Sequence, residues 1–288
     1  MLGKKIGVVG VGMMGTEIAL GFALKGYDVI ISDLNMDLAK KAKDKMVPAM
    51  DRLIKRKALE ADDKKKADIL ALVKVTDKLK DYADRDLIIE AVTENVETKL
   101  KIFAELDKIC QPSTIIASNT SSISITTLGS ATSPERQKRF LGLHYFSPAT
   151  IMKLVEVIPG FVCEDAIVET CIEYVKAVDH VPVKVKDVAG FAVNRILHAL
   201  IKEALRLVEE GVATPADIDT ACKLGLNHPM GPFELCDNVS VELTYLVQEV
   251  LFADYGERFR PDTLLRKMIT SGHIGRKVGR GFFDWTKK

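Results

Sequence analysis

Apolar residues along this chain follow two rhythms. Up to about residue 187, short unbroken apolar runs alternate with stretches in which apolar positions recur every three to four residues. The runs at 6–9, 29–32, 87–90 and 114–117 have the composition of strands buried on both faces of a sheet, and 140–144, 154–158 and 181–185 extend the series. Helical spacing fills 17–24, which stops at Gly26, and also 96–110 and 165–178. From Met36 to about Leu72 the chain is highly charged and helical in period, which predicts a two-helix hairpin broken at Pro48 and inserted between the second strand (29–32) and the third (87–90). Strands separated by helices predict an α/β fold with a doubly wound parallel sheet covered on both faces. After Asp187 no strand run occurs. Segments 191–210, 215–223, 232–252 and 261–271 all read as helix, the last three with proline at or near their first turn. The pattern predicts two domains, an α/β domain over 1–186 and an all-helical domain over 187–288.

Composition narrows the function. Forty-one Lys and Arg against 40 Asp and Glu leave a net charge of +1, without the basic excess that nucleic-acid binding calls for. Any anionic ligand must therefore meet a local cationic patch. No apolar run reaches the ~18 residues needed to cross a membrane. The five cysteines are odd in number and form no CxxC pair, which predicts free thiols in a reducing, cytoplasmic setting. The histidines lack HxH, HExxH or cysteine-rich surroundings, so no metal site is expected.

The first chemical signal is Gly10-Val11-Gly12-Met13-Met14-Gly15, a GxGxxG sequence between the first strand and the first helix. The first glycine permits a tight turn, the second lets a pyrophosphate approach the backbone, and the third lets helix and strand pack closely. The pyrophosphate would sit on the helix N-terminus, where free N–H groups favour negative charge. Met13 and Met14 fall among the cofactor positions, although their side chains suit packing. At about the 20-residue spacing that a ribose-binding acid takes comes Asp33, ending the second strand. Its carboxylate would bond the ribose diol and repel a 2′-phosphate, and no Arg follows it, so the expected cofactor is NAD rather than NADP.

A dinucleotide fold leaves the reaction open. Oxidising a secondary alcohol requires a base beside the hydroxyl, and imidazole titrates in the right range. His144 ends one predicted strand. Glu156 lies within the next, among Leu154, Val155, Val157 and Ile158, where a lone carboxylate would be costly without a partner. A carboxylate on the second ring nitrogen would fix the tautomer and favour imidazolium.

These motifs occur in order with Ser118-Asn119-Thr120-Ser121-Ser122, Gly142-Leu143-His144-Tyr145-Phe146-Ser147-Pro148, Gly190-Phe191-Ala192-Val193-Asn194-Arg195 and Asn227-His228-Pro229-Met230-Gly231-Pro232. Together they resemble the L-3-hydroxyacyl-CoA dehydrogenase family, and the length is most similar to its bacterial 3-hydroxybutyryl-CoA members. The resemblance implies a Rossmann domain, a helical C-terminal domain for dimerisation and substrate, and NAD-linked exchange of 3-hydroxyacyl-CoA with 3-ketoacyl-CoA. By motif, His144 takes the place of the catalytic base and Glu156 of its orienting acid. Ser121 takes the place of the serine that bonds the substrate oxygen, and Asn194 of the asparagine that polarises it from the second domain. Glu94 and Lys99 match cofactor contacts near the nicotinamide ribose, and Lys277 a weaker one. Ser147 stands where the family usually has asparagine, and a hydroxyl replaces one amide hydrogen bond but not two. Ala189 stands in place of a proline. Arg52 and Arg56, four residues apart on the hairpin, resemble the family's basic contacts to the substrate's CoA phosphates. A homodimer or higher homo-oligomer is implied. Two relatives of this reading are a sugar-acid dehydrogenase of the L-gulonate type and a non-catalytic NADH-binding structural protein. The basic hairpin argues against the first, and Ser121, His144, Glu156 and Asn194 against the second.

Overall fold

The computed structural model describes residues 2–286, and the chain divides into two compact units, one ending at Asp187 and the other starting at Val188. The first unit runs through β1 (Lys5–Val9), α1 (Met13–Leu24), β2 (Asp28–Ser32), α2 (Met36–Lys55), α3 (Asp63–Ala71), β3 (Val73–Thr76), β4 (Leu87–Glu90), α4 (Val96–Ile109), β5 (Ile115–Ser118), α5 (Ile125–Gly129), α6 (Pro134–Gln137), β6 (Phe140–Tyr145), β7 (Leu154–Pro159), α7 (Asp165–Ala177) and β8 (Val181–Lys184). Its strands form one sheet in the order β3-β2-β1-β4-β5-β6-β7-β8. Strands β1 to β6 are parallel, and chain order reverses between β1 and β4. Ligands of open α/β sheets bind at the carboxyl ends of the strands beside such a reversal. Ile6, Val8, Val29, Ile31, Leu87 and Ile89 are essentially unexposed and lie in the core with Ile18, Leu20 and Phe22 of α1.

The first unit departs from the expected pattern at three places. First, β7 runs antiparallel to β6, and β8 follows β7, so the sheet is mixed rather than parallel throughout. The link from Tyr145 to Leu154 is too short for the helical crossover that parallel neighbours need. Second, Val73–Thr76 is an edge strand beside β2, so the hairpin is inserted before it rather than before Leu87–Glu90. Third, Pro48 does not break the hairpin: α2 passes through it. Ala39, Ala42, Met46, Ala49, Met50 and Leu53 bury one continuous face of α2, while Pro48 is exposed, where water can satisfy the carbonyl its ring leaves unbonded. The helix ends instead at Lys55, with Arg56 as its C-cap and Lys57 following at φ 58°.

The second unit contains α8 (Val193–Glu209), α9 (Pro215–Gly225), α10 (Pro232–Val239), α11 (Val241–Tyr255) and α12 (Thr263–Thr270). The helix expected over 232–252 is thus two helices, divided at Ser240, whose φ of 114° no α-helix accommodates. Their core gathers Ile201, Leu205, Phe233, Cys236, Val241 and Leu265. The buried Asp237 carboxylate accepts from the backbone N–H groups of Phe282 and Phe283 and from the Trp285 indole, which fastens the C-terminal segment to α10. Among the described residues no helix is long and apolar enough to cross a membrane. All five cysteines are free, four of them buried.

Candidate active site

The glycine motif leaves room where a ligand would need it and nowhere else. Gly10, directly after β1, has φ 86°, and a Cβ there would lie 2.6 Å from the Val92 backbone nitrogen. A Cβ on Gly15 would collide with the Gly10 carbonyl oxygen, so α1 can close on β1 only at a glycine. A Cβ on Gly12 would meet nothing within 4 Å. Gly12 is also the N-cap of α1 and supplies no side-chain cap, so no side chain of the cap occupies the first-turn N–H groups. Asp33 braces this turn: its carboxylate accepts from the Val11 N–H at 2.9 Å and the Leu34 N–H at 2.8 Å. Gly10, Gly12, Asp33, Leu34 and Val92 line a cavity of about 370 Å³ that continues to Asp77 and Ile102. A turn shaped for pyrophosphate, an acid for the ribose and an apolar-walled cavity beyond it fit NAD.

Past the reversal point, the carboxyl ends of β4 and β5 carry buried charge. Lys99 of α4 and Glu90 of β4 are 1% and 0% exposed and meet at 2.6 Å, and the Lys99 ammonium lies 3.3 Å from Glu94. Glu90 also accepts from the Ser118 hydroxyl at 2.6 Å and the Val92 N–H at 2.7 Å. The Glu94 Oε1 gathers the loop after β5, accepting from the Thr120 hydroxyl at 2.6 Å, the Ser121 N–H at 2.9 Å, and the Ser122 N–H and hydroxyl at 3.1 and 3.0 Å. The Ser121 hydroxyl lies 3.3 Å from the same oxygen. Burial would raise the Glu94 carboxyl, but the Lys99 charge and these donors outweigh it and hold it below its ordinary value. The Asn119 side-chain oxygen accepts the Tyr145 N–H at 2.9 Å and so ties this loop to the end of β6.

At that end, His144 and Glu156 are direct register partners across the antiparallel β6–β7 pair. Opposed residues project from one face, and the His144 Nδ1 lies 2.8 Å from a Glu156 carboxylate oxygen. The carboxylate is 1% exposed and the imidazole 7%, and the Phe146 ring packs 4.5 Å from the imidazole centroid. The chain then turns to Ser147, whose exposed hydroxyl lies 3.9 Å from the Met13 sulfur on the glycine turn.

Both units match models of one family. Residues 5–188 match the 3-hydroxyacyl-CoA dehydrogenase NAD-binding domain, and residues 190–285 the 3-hydroxyacyl-CoA dehydrogenase C-terminal domain. The chain belongs to the 3-hydroxyacyl-CoA dehydrogenase family. It is 40% identical over 283 residues to a 3-hydroxybutyryl-CoA dehydrogenase of Bradyrhizobium diazoefficiens, covering 98% of this chain and 95% of the relative. It is 37% identical to the human mitochondrial hydroxyacyl-coenzyme A dehydrogenase over 98% of this chain and 91% of that one. The crystal structure of (S)-3-hydroxybutyryl-CoA dehydrogenase from Ralstonia eutropha superposes with a TM-score of 0.94 at 39% identity, covering 99% of this chain and all of the other.

Within this dehydrogenase, Gly10, Gly12, Met13, Asp33, Glu94, Ser121, His144, Ser147 and Glu156 all lie at or beside one end of the sheet, formed by the carboxyl ends of β1, β2 and β4 to β6 and the amino end of antiparallel β7. Met14, by contrast, is half-buried against the core of the first unit. Lys99 is buried, and its ammonium is directed to Glu90 and Glu94. Arg52 lies on the last turn of α2 with its guanidinium 3.7 Å from the Glu17 carboxylate of α1, and exposed Arg56 is the C-cap of the same helix. Asn194 and Lys277 belong to the second unit. Asn194 is on the first turn of α8, and Lys277 is an exposed residue of the short turn Arg276–Val278. Glu90, Ser118, Thr120 and Asn119 also shape the site, and sequence reasoning assigned them no role. A carboxylate ending the apolar run Leu87-Ile88-Ile89 is the same signal that singled out Glu156.

Proposed function

We propose that this dehydrogenase interconverts short-chain 3-hydroxyacyl-CoA and 3-ketoacyl-CoA, with (S)-3-hydroxybutyryl-CoA and acetoacetyl-CoA as its pair. The observation that carries this reading is the buried His144–Glu156 pair at the end of the sheet that also bears the glycine turn. Bound NAD supplies or removes hydride at C3 of the acyl chain. His144 moves the accompanying proton: with Nδ1 turned to Glu156, Nε2 takes the proton of the C3 hydroxyl in oxidation and returns it in reduction. Glu156 stabilises the imidazolium formed between those events and holds one tautomer. Ser121 donates to the C3 oxygen from a loop whose shape Glu94 sets. Asn194 adds a second donor, a role carried by its motif. Asp33 selects NAD over NADP by like-charge repulsion of a 2′-phosphate.

Arg52 and Arg56 hold the CoA phosphates, far from the reacting carbon. Arginine suits this task because its planar fork bonds two phosphate oxygens at once. Five free cysteines support a cytoplasmic, reducing location. Exposed Ile196, Leu224, Leu226 and Leu246 of the second unit support a homodimer or larger homo-oligomer.

The test is NADH oxidation with acetoacetyl-CoA and, separately, with free acetoacetate. Turnover is expected with the thioester and far less with the free acid. Arg52→Glu with Arg56→Glu should raise KM for acetoacetyl-CoA by ~10-fold or more, with a smaller effect on kcat. Equal efficiency with both substrates, or turnover with neither, contradicts the reading.

A further inference from the structure

The cavity beside the glycine turn carries two carboxylates in different circumstances. Both oxygens of Asp33 already accept backbone N–H groups at the ribose end. Asp77, in the link after β3, is exposed and makes no side-chain hydrogen bond among the described residues. The surrounding wall is mostly apolar, with Leu34, Leu79, Val92 and Ile102, and Thr93 and Thr98 also line it, the Thr98 hydroxyl donating to the Asn95 side-chain oxygen at 2.9 Å. The Ser32 hydroxyl, also on the wall, is bonded to the Tyr82 hydroxyl at 2.8 Å. Lys78 and Lys80 follow Asp77 closely in sequence but do not line the cavity. The slot therefore combines apolar walls with one unengaged group that only accepts hydrogen bonds.

That chemistry matches a flat heterocycle bearing an amino group. The ring edge of adenine carries a single N–H donor group, its 6-amino substituent, and its ring nitrogens are acceptors. We infer that Asp77 accepts a hydrogen bond from the 6-amino group of adenine and so makes the cofactor site selective for the base. The inference rests on the reading that this cavity takes the adenosine end of NAD. A purine with oxygen at position 6 turns a carbonyl toward the same carboxylate, two acceptors face to face, and binds more weakly. The contact is charge-assisted but exposed, so its effect is modest.

The test compares dissociation constants of NADH and of its hypoxanthine counterpart, deamino-NADH, measured by calorimetry without substrate. The wild type should bind NADH about 5- to 10-fold more tightly. Asp77→Asn and Asp77→Ala should bring the two within about 2-fold, chiefly by weakening NADH, with Tm unchanged because Asp77 bonds no other residue. Equal affinities in the wild type, or a preference that survives in both variants, overturn the inference. Variants that gain NADPH affinity while keeping the preference also overturn it, since Asp77 would then act only by repelling a 2′-phosphate. A wild type that binds NADH without base preference defeats this inference alone. One that binds no NADH defeats the cofactor reading beneath it.

Discussion

The β1–β2 side of the sheet and the β4–β7 side prepare for a ligand by opposite means. At β1 and the turn after it the work is done by omission: Gly10 admits φ 86°, Gly15 lets α1 touch β1, and Gly12 leaves open space above a helix N-terminus. At β4 to β7 it is done by burying charge, Lys99 against Glu90 and His144 against Glu156. A surface built from absent side chains depends on local chain geometry and needs no partner. A buried charge depends on another residue elsewhere in the fold, and is unfavourable until that residue arrives. The contrast suits the two tasks. Holding a pyrophosphate requires backbone N–H groups, whereas moving a proton requires a titrating side chain whose two states are both tolerated.

Breaking the charged side should cost most. His144→Gln preserves size and polarity, and should lower kcat by ~10²–10⁴ while NADH affinity stays near wild type. Unchanged turnover in the purified variant would remove His144 from the chemistry. Lys99→Met leaves Glu90 buried without its cation and should destabilise the fold by about 3–5 kcal/mol in urea denaturation. A loss within about 0.5 kcal/mol, the range of ordinary surface substitutions, would mean that Glu90 does not need the pair.

Two glycine variants then separate shape from binding. Gly15→Ala should destabilise the protein by about 1–3 kcal/mol, because its Cβ meets backbone that cannot move aside. Gly12→Ala meets nothing in the fold, so Tm should hold while NADH affinity falls by about 10-fold or more. If Gly12→Ala binds NADH normally, the open space at Gly12 is not where the cofactor lies.

The smallest effect concerns pH. Glu94 is held below its ordinary carboxyl value in the fold, so the stability it adds is fully present above the ordinary value of 4.5 and is lost as pH falls through the lowered one. The Tm difference between wild type and Glu94→Gln should therefore shrink as pH drops from 7 toward 3. A difference that stays constant across that range would show that the Glu94 charge does not act on stability.

The same contrast explains what could be read from the sequence. The glycine turn and Asp33 are legible because their spacing within one strand–turn–helix unit is the signal. The pairing of His144 with Glu156 depends on β6 and β7 lying antiparallel in one register, and a count of apolar residues says nothing of direction. Lys99 and Glu90 lie on neighbouring elements, but a lysine in a charged helix looks solvated until packing buries it. Val73–Thr76 is short and carries Lys74, so it lacks the unbroken apolar run that marks the central strands. Its edge position permits that composition. Pro48 misled because local propensity favoured a break and the buried face of α2 outweighed it.

The central claim is that register brings His144 and Glu156 together as one proton-transferring unit, and the pH profile of acetoacetyl-CoA reduction in Glu156→Gln tests it most directly. The variant keeps a hydrogen-bonding group beside the imidazole but removes the charge that favours imidazolium, the form reduction requires. The account predicts a lower kcat and an activity profile displaced to lower pH. A profile and kcat indistinguishable from wild type would contradict it.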